Sequence, residues 1–157
     1  MSNRLNRVLR VSTCVFLLAA SSAAHASGQL ERIRRVVAEL KSELAIPQTV
    51  DVKIVAANAR LFSVAPVPNA RATFLLSVEE DFAQALNDDE LKAAVAHELG
   101  HVWIYTHHPF LQTERLANDI AMRVVNRSAF EPVYEKVWAR TGVRGNLIEF
   151  IGPPSQH

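Results

Sequence analysis

Two histidines four positions apart constrain this chain more than any other feature. In the stretch His97-Glu98-Leu99-Gly100-His101, a helix would place both imidazoles about 40° apart around its axis and one turn apart along it, within reach of one ion. Zinc accepts imidazole nitrogen at about 2.0–2.1 Å, and a catalytic zinc keeps three protein ligands and one position for water. The sequence therefore predicts a helix that carries a Zn²⁺ site, with His97 and His101 as two of its ligands.

The residues before the motif indicate where this helix begins. Asn87 is followed three residues later by Glu90, which is a capping-box pattern, and apolar residues then recur at helical spacing. We predict a helix over about residues 88–105, with the motif in its interior. Glu98 follows His97 directly, so we expect it to accept a proton from the metal-bound water as the catalytic base. The alternative is a structural helix without metal, which would bury these polar side chains at considerable cost.

The third metal ligand is expected in the next helix. Thr113 can cap a helix over about residues 114–126, and the short preceding loop favours two antiparallel helices. Glu114 then falls near His101, and Asn118 shares the same helix face as Glu114. We predict Glu114 as the third ligand and Asn118 as a group that orients a histidine.

Two other residues are alternatives for the third ligand. Asp119 would bind the metal if the register of the second helix shifted. Otherwise it is a weaker candidate, like Asn118, for a residue that contacts a metal ligand and orients it. His107 matches the ligand spacing of the metzincins, but Ile104 stands where that family has glycine. Because a β-branched residue resists the sharp turn and favours a continued helix, His107 is expected to point away from the site.

The rest of the sequence predicts an α+β domain. An amphipathic helix is expected first, then about three strands, a short helix, the motif helix and two further helices. The predicted elements outside the motif region are a helix at 28–44, strands at 50–56, 61–64 and 72–78, a short helix at 79–86, and a helix opened by Ser128 that runs to about Arg140. The tail, residues 143–157, contains Pro153-Pro154 and is expected to lack regular structure.

The N-terminus has the pattern of an export signal. Three arginines precede a short apolar stretch at residues 11–20, and Ala24-His25-Ala26 fits a small-x-small cleavage site. We predict a signal peptide over residues 1–26 with a cut after Ala26, and hence a periplasmic or secreted protein; an uncleaved N-terminal anchor is the alternative. The predicted domain then covers residues 27–142.

Composition excludes several classes of partner. The chain has 17 basic and 16 acidic residues, which gives no basic surface of the kind that nucleic acid requires. No second apolar run is long enough to span a bilayer. The single cysteine, Cys14, lies inside the predicted signal, so the exported chain would contain no disulfide.

The residues around the motif resemble the gluzincin metallopeptidases. The segment from Asn87 into His97-Glu98-Leu99-Gly100-His101, after the strand Phe74-Leu75-Leu76, is similar to HtpX-like and CAAX-prenyl-protease-like peptidases. Glu114-Arg115-Leu116-Ala117-Asn118 is similar to the Glu-x-x-Ala-Asn segment of ImmA/IrrE-type proteins. The resemblance covers about residues 72–125 and implies a zincin-like fold with zinc-dependent peptide-bond hydrolysis, in which Glu98 is the base and Glu114 the third ligand.

The resemblance also implies how a substrate would bind. In that family a peptide lies extended along the edge strand before the active-site helix, and residues 72–78 are the counterpart here. The family stabilises the oxyanion with a downstream Tyr, His or Arg, for which Tyr134 and His108 are the candidates.

Two functions remain as hypotheses. The first is an exported zinc metalloendopeptidase that acts on protein or peptide substrates. The second is a non-catalytic zinc-stabilised binding or assembly module of the cell envelope that retains the peptidase fold. Glu98 favours the first, because a structural zinc has no need of a carboxylate at that position. A peptidase held latent by its N-terminal helix or by His157 in the tail is a third possibility.

Overall fold

The computed structural model describes residues 26–153, which form six helices and a three-stranded mixed sheet. The elements are α1 (26–43), β1 (Thr49–Val55), β2 (Phe62–Pro66), β3 (Thr73–Glu79), α2 (Glu80–Gln84), α3 (Asp88–His107), α4 (Glu114–Ala121), α5 (Arg127–Thr141) and α6 (Leu147–Ile151). The predicted α+β class is confirmed. The predicted signal peptide lies almost wholly outside the described residues and stays a prediction.

Between residues 26 and 153, no helix combines the length and the apolar character that crossing a bilayer requires.

The sheet has β3 at its centre. Strand β3 pairs with β1 in parallel and with β2 in antiparallel fashion, and its alternate residues Phe74, Leu76 and Val78 are buried in the core. Since β3 is hydrogen-bonded on both sides, the prediction that residues 72–78 form the edge strand beside the motif helix is wrong. The sheet edge that contacts α3 is β2.

Helix α3 begins as the sequence predicts. The Asn87 side chain accepts a hydrogen bond from the Glu90 backbone N–H at 2.9 Å, and the Glu90 carboxylate accepts one from the Asn87 N–H at 2.8 Å. The first half of the helix is buried on most of its sides, since residues 93–96 are all buried, and Leu91, Val95 and Leu99 are completely buried in the core. The helix runs two residues beyond the expected end, to His107, because Pro109 permits helix up to the residues just before it.

Helix α4 packs closely against α3. A Cβ atom added at Gly100 would lie 2.4 Å from the carbonyl oxygen of Ala117, so only glycine permits this approach of the two backbones. The Thr113 side chain caps α4 by accepting from the Leu116 N–H at 3.2 Å. The helix ends at Ala121, earlier than predicted. The chain forms a turn there, in which the N–H groups of residues 124 and 125 both donate to the Ala121 carbonyl oxygen.

The C-terminal part of the chain differs from the prediction. Helix α5 starts at Arg127 with Asn126 as its N-cap, so Ser128 is not the cap. The tail is not irregular over its whole length: Leu147–Ile151 forms α6, whose N-cap Asn146 accepts from the Ile148 N–H at 3.0 Å. Ile151 is 2% exposed, so this short helix is stabilised by burial against the rest of the domain.

Candidate metal centre

Three side chains from α3 and α4 converge on one point. The Nε2 atoms of His97 and His101 lie 3.2 Å apart. Glu114 Oε2 lies 3.1 Å from His97 Nε2, and Glu114 Oε1 lies 3.7 Å from His101 Nε2. All three donor atoms fall within 4.8 Å of one another, so the group could hold a metal ion. Helical spacing aligns the two histidines, and the close α3–α4 packing at Gly100 brings the first residue of α4 opposite them. The predicted ligand set is therefore brought together.

Asn118 fixes the tautomer of His97. Its amide nitrogen donates to the Phe150 carbonyl oxygen at 3.0 Å and to the Tyr134 hydroxyl at 2.6 Å. A carbonyl oxygen can only accept, so the amide oxygen must be the atom that faces His97 Nδ1 at 2.8 Å. His97 Nδ1 then carries the proton and donates it to Asn118. The lone pair of Nε2 is thereby left toward Glu114 and His101.

Gln112 fixes the tautomer of His101 in the same way. Its amide nitrogen donates to the backbone carbonyl of His101 at 3.2 Å, so its amide oxygen faces His101 Nδ1, at 3.0 Å. His101 Nδ1 is therefore the protonated nitrogen, and its Nε2 also presents a lone pair.

The donor set fits a divalent cation. Two nitrogen lone pairs 3.2 Å apart face each other beside a carboxylate. In these tautomers neither Nε2 carries a proton, so no hydrogen bond can form between the two nitrogens. This arrangement is unfavourable unless a metal ion or an added proton lies among the three donors. Imidazole nitrogens and a carboxylate oxygen are ligands that zinc accepts.

The electrostatics of the cluster favour positive charge. Burial lowers the pKa of His97, but the hydrogen bond with Glu114 and the charges of Glu98 and Glu114 outweigh it, so the pKa lies above its ordinary value. When the imidazoles are protonated, hydrogen bonds with His101 and His97 hold the pKa of the Glu114 carboxyl well below its usual range. Glu114 is therefore an anion at any pH at which the protein would work.

Glu98 is a buried carboxyl beside the ligand cluster. It is 7% exposed, it lines the same cavity as both histidines, and it does not belong to the group of ligand atoms. Burial raises its pKa above the ordinary carboxyl value, against the opposing charges of His97 and His101 and the backbone of Val64 in β2. A carboxylate with a raised pKa holds an abstracted proton better at neutral pH, which suits a general base.

The cluster lies in a cavity of about 690 Å³. The edge strand β2 and helices α3, α4 and α5 line it, together with Phe74 of β3 and Phe82 of α2. Much of its lining is apolar and consists of Phe62, Phe82, Ala93, Ala94, Phe130, Val133 and Val137. Its size is within the range of sites that bind small ligands or parts of a peptide.

Only one of the two oxyanion candidates lies at the cavity. The Tyr134 side chain lines the cavity, and burial raises the pKa of Tyr134 to about 12, so its hydroxyl stays protonated. The hydroxyl oxygen accepts a hydrogen bond from the Asn118 amide, and the hydroxyl proton is still able to donate to a bound group. His108 is exposed and is not among the cavity-lining residues; its ring is tilted toward Trp103 at 6.1 Å between centroids.

The alternative metal ligands lie elsewhere. Asp119 pairs with Arg115 at 2.9 Å on the surface of α4. The His107 ring stacks on Trp103 at 4.0 Å, and its Nδ1 lies 2.8 Å from the Trp103 carbonyl oxygen. Neither residue belongs to the cluster of possible ligand atoms.

Two parts of the site were missed by sequence reasoning. Gln112 is a polar residue in a loop and carries no local pattern that distinguishes it from a solvent-exposed side chain. The Phe150 carbonyl could not be foreseen because its segment was expected to be irregular.

No family model, no curated protein and no solved structure matches this chain. The geometry of the residues themselves is therefore what supports a metal centre.

Proposed function

We propose that this protein is a zinc-dependent metalloendopeptidase with a zincin-like arrangement of sheet and active-site helix. The observation that carries the proposal is the convergence of two deprotonated imidazole nitrogens and one carboxylate, beside a second, buried carboxyl that is not a ligand. The first feature supports a metal, and the second supports hydrolysis.

The proposed ligands are His97, His101 and Glu114. A metal held by these two histidines and one glutamate would keep one position for water. A zinc ion held there would supply a Lewis acid that lowers the pKa of water toward about 7 and polarises a peptide carbonyl.

Glu98 would perform the proton transfers. Its carboxylate would accept a proton from the attacking water, and the raised pKa would help it to keep that proton until the amine leaves. Protonation of the leaving amine by Glu98 would then return the carboxylate to its starting form.

The substrate would lie along β2. This strand borders the cavity and has one side that is not hydrogen-bonded within the described sheet, so an extended peptide could add to it through backbone hydrogen bonds. The scissile carbonyl would then face the cluster, and the Tyr134 hydroxyl would donate to the developing oxyanion.

Exchanging Glu98 for glutamine tests the catalytic part of the proposal. Glu98→Gln keeps the shape and removes the base, so zinc content should equal that of the wild type while new peptide termini, detected by mass spectrometry in an unfolded-protein mixture, should disappear. Glu39→Gln is the matched control, since Glu39 is a half-exposed residue of α1 that pairs with Lys92. A wild type and a Glu98→Gln variant that both bind zinc and both lack cleavage in every mixture would favour the non-catalytic zinc module.

A further inference from the structure

Gln112 makes two hydrogen bonds to a single residue. Its amide oxygen lies 3.0 Å from His101 Nδ1, and its amide nitrogen donates to the backbone carbonyl of His101 at 3.2 Å. One orientation of the amide satisfies both contacts, because the carbonyl can only accept and the ring N–H can donate. These two hydrogen bonds, which we call the Gln112 clamp, therefore fix the imidazole ring of His101 relative to its own backbone.

We propose that Gln112 is the positioning residue for His101, and this inference rests on the proposed zinc site. The clamp keeps the proton on Nδ1 and directs the Nε2 lone pair toward the position of the metal. His101 Nδ1 has no other hydrogen-bond partner among residues 26–153. Without Gln112, the two acceptors beside His101 Nε2 would favour a proton on that nitrogen instead: His97 Nε2 at 3.2 Å and Glu114 Oε1 at 3.7 Å.

The two histidines are held by different kinds of partner. Asn118, which holds His97, is fully buried and has two further hydrogen bonds of its own. Gln112 lies in the exposed loop between α3 and α4, and its neighbour Phe110 is 98% exposed. The position of His101 therefore depends on the conformation of a surface loop, whereas the position of His97 depends on the core.

Metal binding and loop order should affect each other. A metal on Nε2 makes the Nδ1–H a stronger donor and so strengthens its bond to Gln112. Zinc binding and ordering of the loop are coupled equilibria, and such coupling is reciprocal. If the ordered loop increases zinc affinity, bound zinc must in turn stabilise the ordered loop. Zinc should therefore slow hydrogen exchange of the backbone amides in residues 108–113.

The test compares three variants of the full chain. Gln112→Leu removes both hydrogen bonds, Gln112→Glu keeps an acceptor for the Nδ1–H, and Phe110→Ala changes the same loop at a side chain that is almost fully exposed. Zinc affinity is measured by competition with a chromophoric chelator. We expect Gln112→Leu to bind zinc about 10–100-fold more weakly, the usual effect of removing a partner of a metal-ligating histidine. Gln112→Glu should recover most of the loss, and Phe110→Ala should equal the wild type.

A second measurement does not need the metal. ¹⁵N NMR of the metal-free protein reports which nitrogen of His101 carries the proton. We expect the Nδ1–H form in the wild type and in Phe110→Ala, and its loss in Gln112→Leu. Hydrogen exchange of the loop with and without zinc gives a third readout, in which the protection by zinc should be smaller in Gln112→Leu than in the wild type.

The outcomes separate this inference from the proposed function. If the wild type binds zinc and Gln112→Leu binds it equally well, the positioning role is overturned and the zinc centre stands. An equal loss in Phe110→Ala, or a Gln112→Glu variant as weak as Gln112→Leu, also overturns the role. If the wild type binds no zinc, the proposed function fails; an Nε2–H form of His101 in the metal-free wild type would overturn the clamp as well.

Discussion

The contact between α3 and α4 predicts opposite effects of the same substitution at two glycines. In Gly100→Ala, the added Cβ would lie 2.4 Å from the carbonyl oxygen of Ala117 and 3.0 Å from two other backbone atoms of that residue. Since all three atoms belong to the backbone, no side-chain rotation relieves the overlap. Helix α4 must move away from α3 as a body.

The size of the effect follows from two opposing contributions. Overpacking typically costs about 1–3 kcal/mol, and the upper part of that range applies where backbone must shift. Alanine is favoured over glycine inside a helix by about 1 kcal/mol, which offsets part of that cost. The free energy of unfolding should therefore fall by about 1–2 kcal/mol, which corresponds to a decrease in Tm of about 3–8 °C for a domain of this size.

Gly28 provides the matched control. It lies in α1, and a Cβ added there would meet no other atom within 4 Å. Gly28→Ala should therefore gain stability, by up to about 1 kcal/mol. Urea denaturation of the metal-free proteins in the presence of a chelator measures both effects without a contribution from zinc. A Gly100→Ala variant that is as stable as the wild type, or that gains stability together with Gly28→Ala, would contradict the packing of α4 on α3 and with it the placement of Glu114.

Two further predictions concern pH and the C-terminal segment. His97 and His101 must be neutral to bind zinc, and the metal-free pKa of His97 lies above 6.5, so zinc affinity should begin to fall already above that pH as the solution is acidified. Protonated His97 stabilises the metal-free fold fully below pH 6.5, and this stabilisation is lost as the pH rises through the raised pKa of His97. The increase in Tm that zinc causes should therefore become larger between pH 5.5 and pH 8. An increase in Tm that stays constant across that range would count against histidine ligation. Deletion of residues 146–157 removes the Phe150 carbonyl that orients Asn118, so Tm and zinc affinity should both decrease. Higher peptidase activity after this deletion would instead support inhibition by the tail.

Local patterns predicted the metal-binding part of the structure. The capping box of Asn87 and Glu90 and the apolar spacing after it are properties of one helix, and the structure confirms both. The contact of Glu114 with the two histidines followed from a short loop between helices, which leaves few ways to arrange them. Peptidase activity, the identity of the metal and the export signal stay predictions.

Features that depend on distant contacts could not be predicted in this way. The order of the strands depends on contacts between distant segments, and the apolar run at residues 72–78 predicts a strand without fixing its neighbours in the sheet. Helix α6 is only five residues long, so its Asn146 cap does not stabilise it without the burial of Ile151. Gln112 became recognisable as part of the site only from its two contacts with His101.

The decisive experiment is to measure zinc binding by the purified protein. Elemental analysis after exposure to excess zinc and removal of loosely bound metal, combined with X-ray absorption at the zinc edge, gives both the stoichiometry and the donor atoms. We expect one zinc per chain with two nitrogen donors and at least one oxygen donor at about 2.0–2.2 Å, and a lower zinc content in Glu114→Ala. A chain that retains no zinc, or one whose zinc signal is unchanged when His97 and His101 are both replaced by alanine, would contradict this expectation.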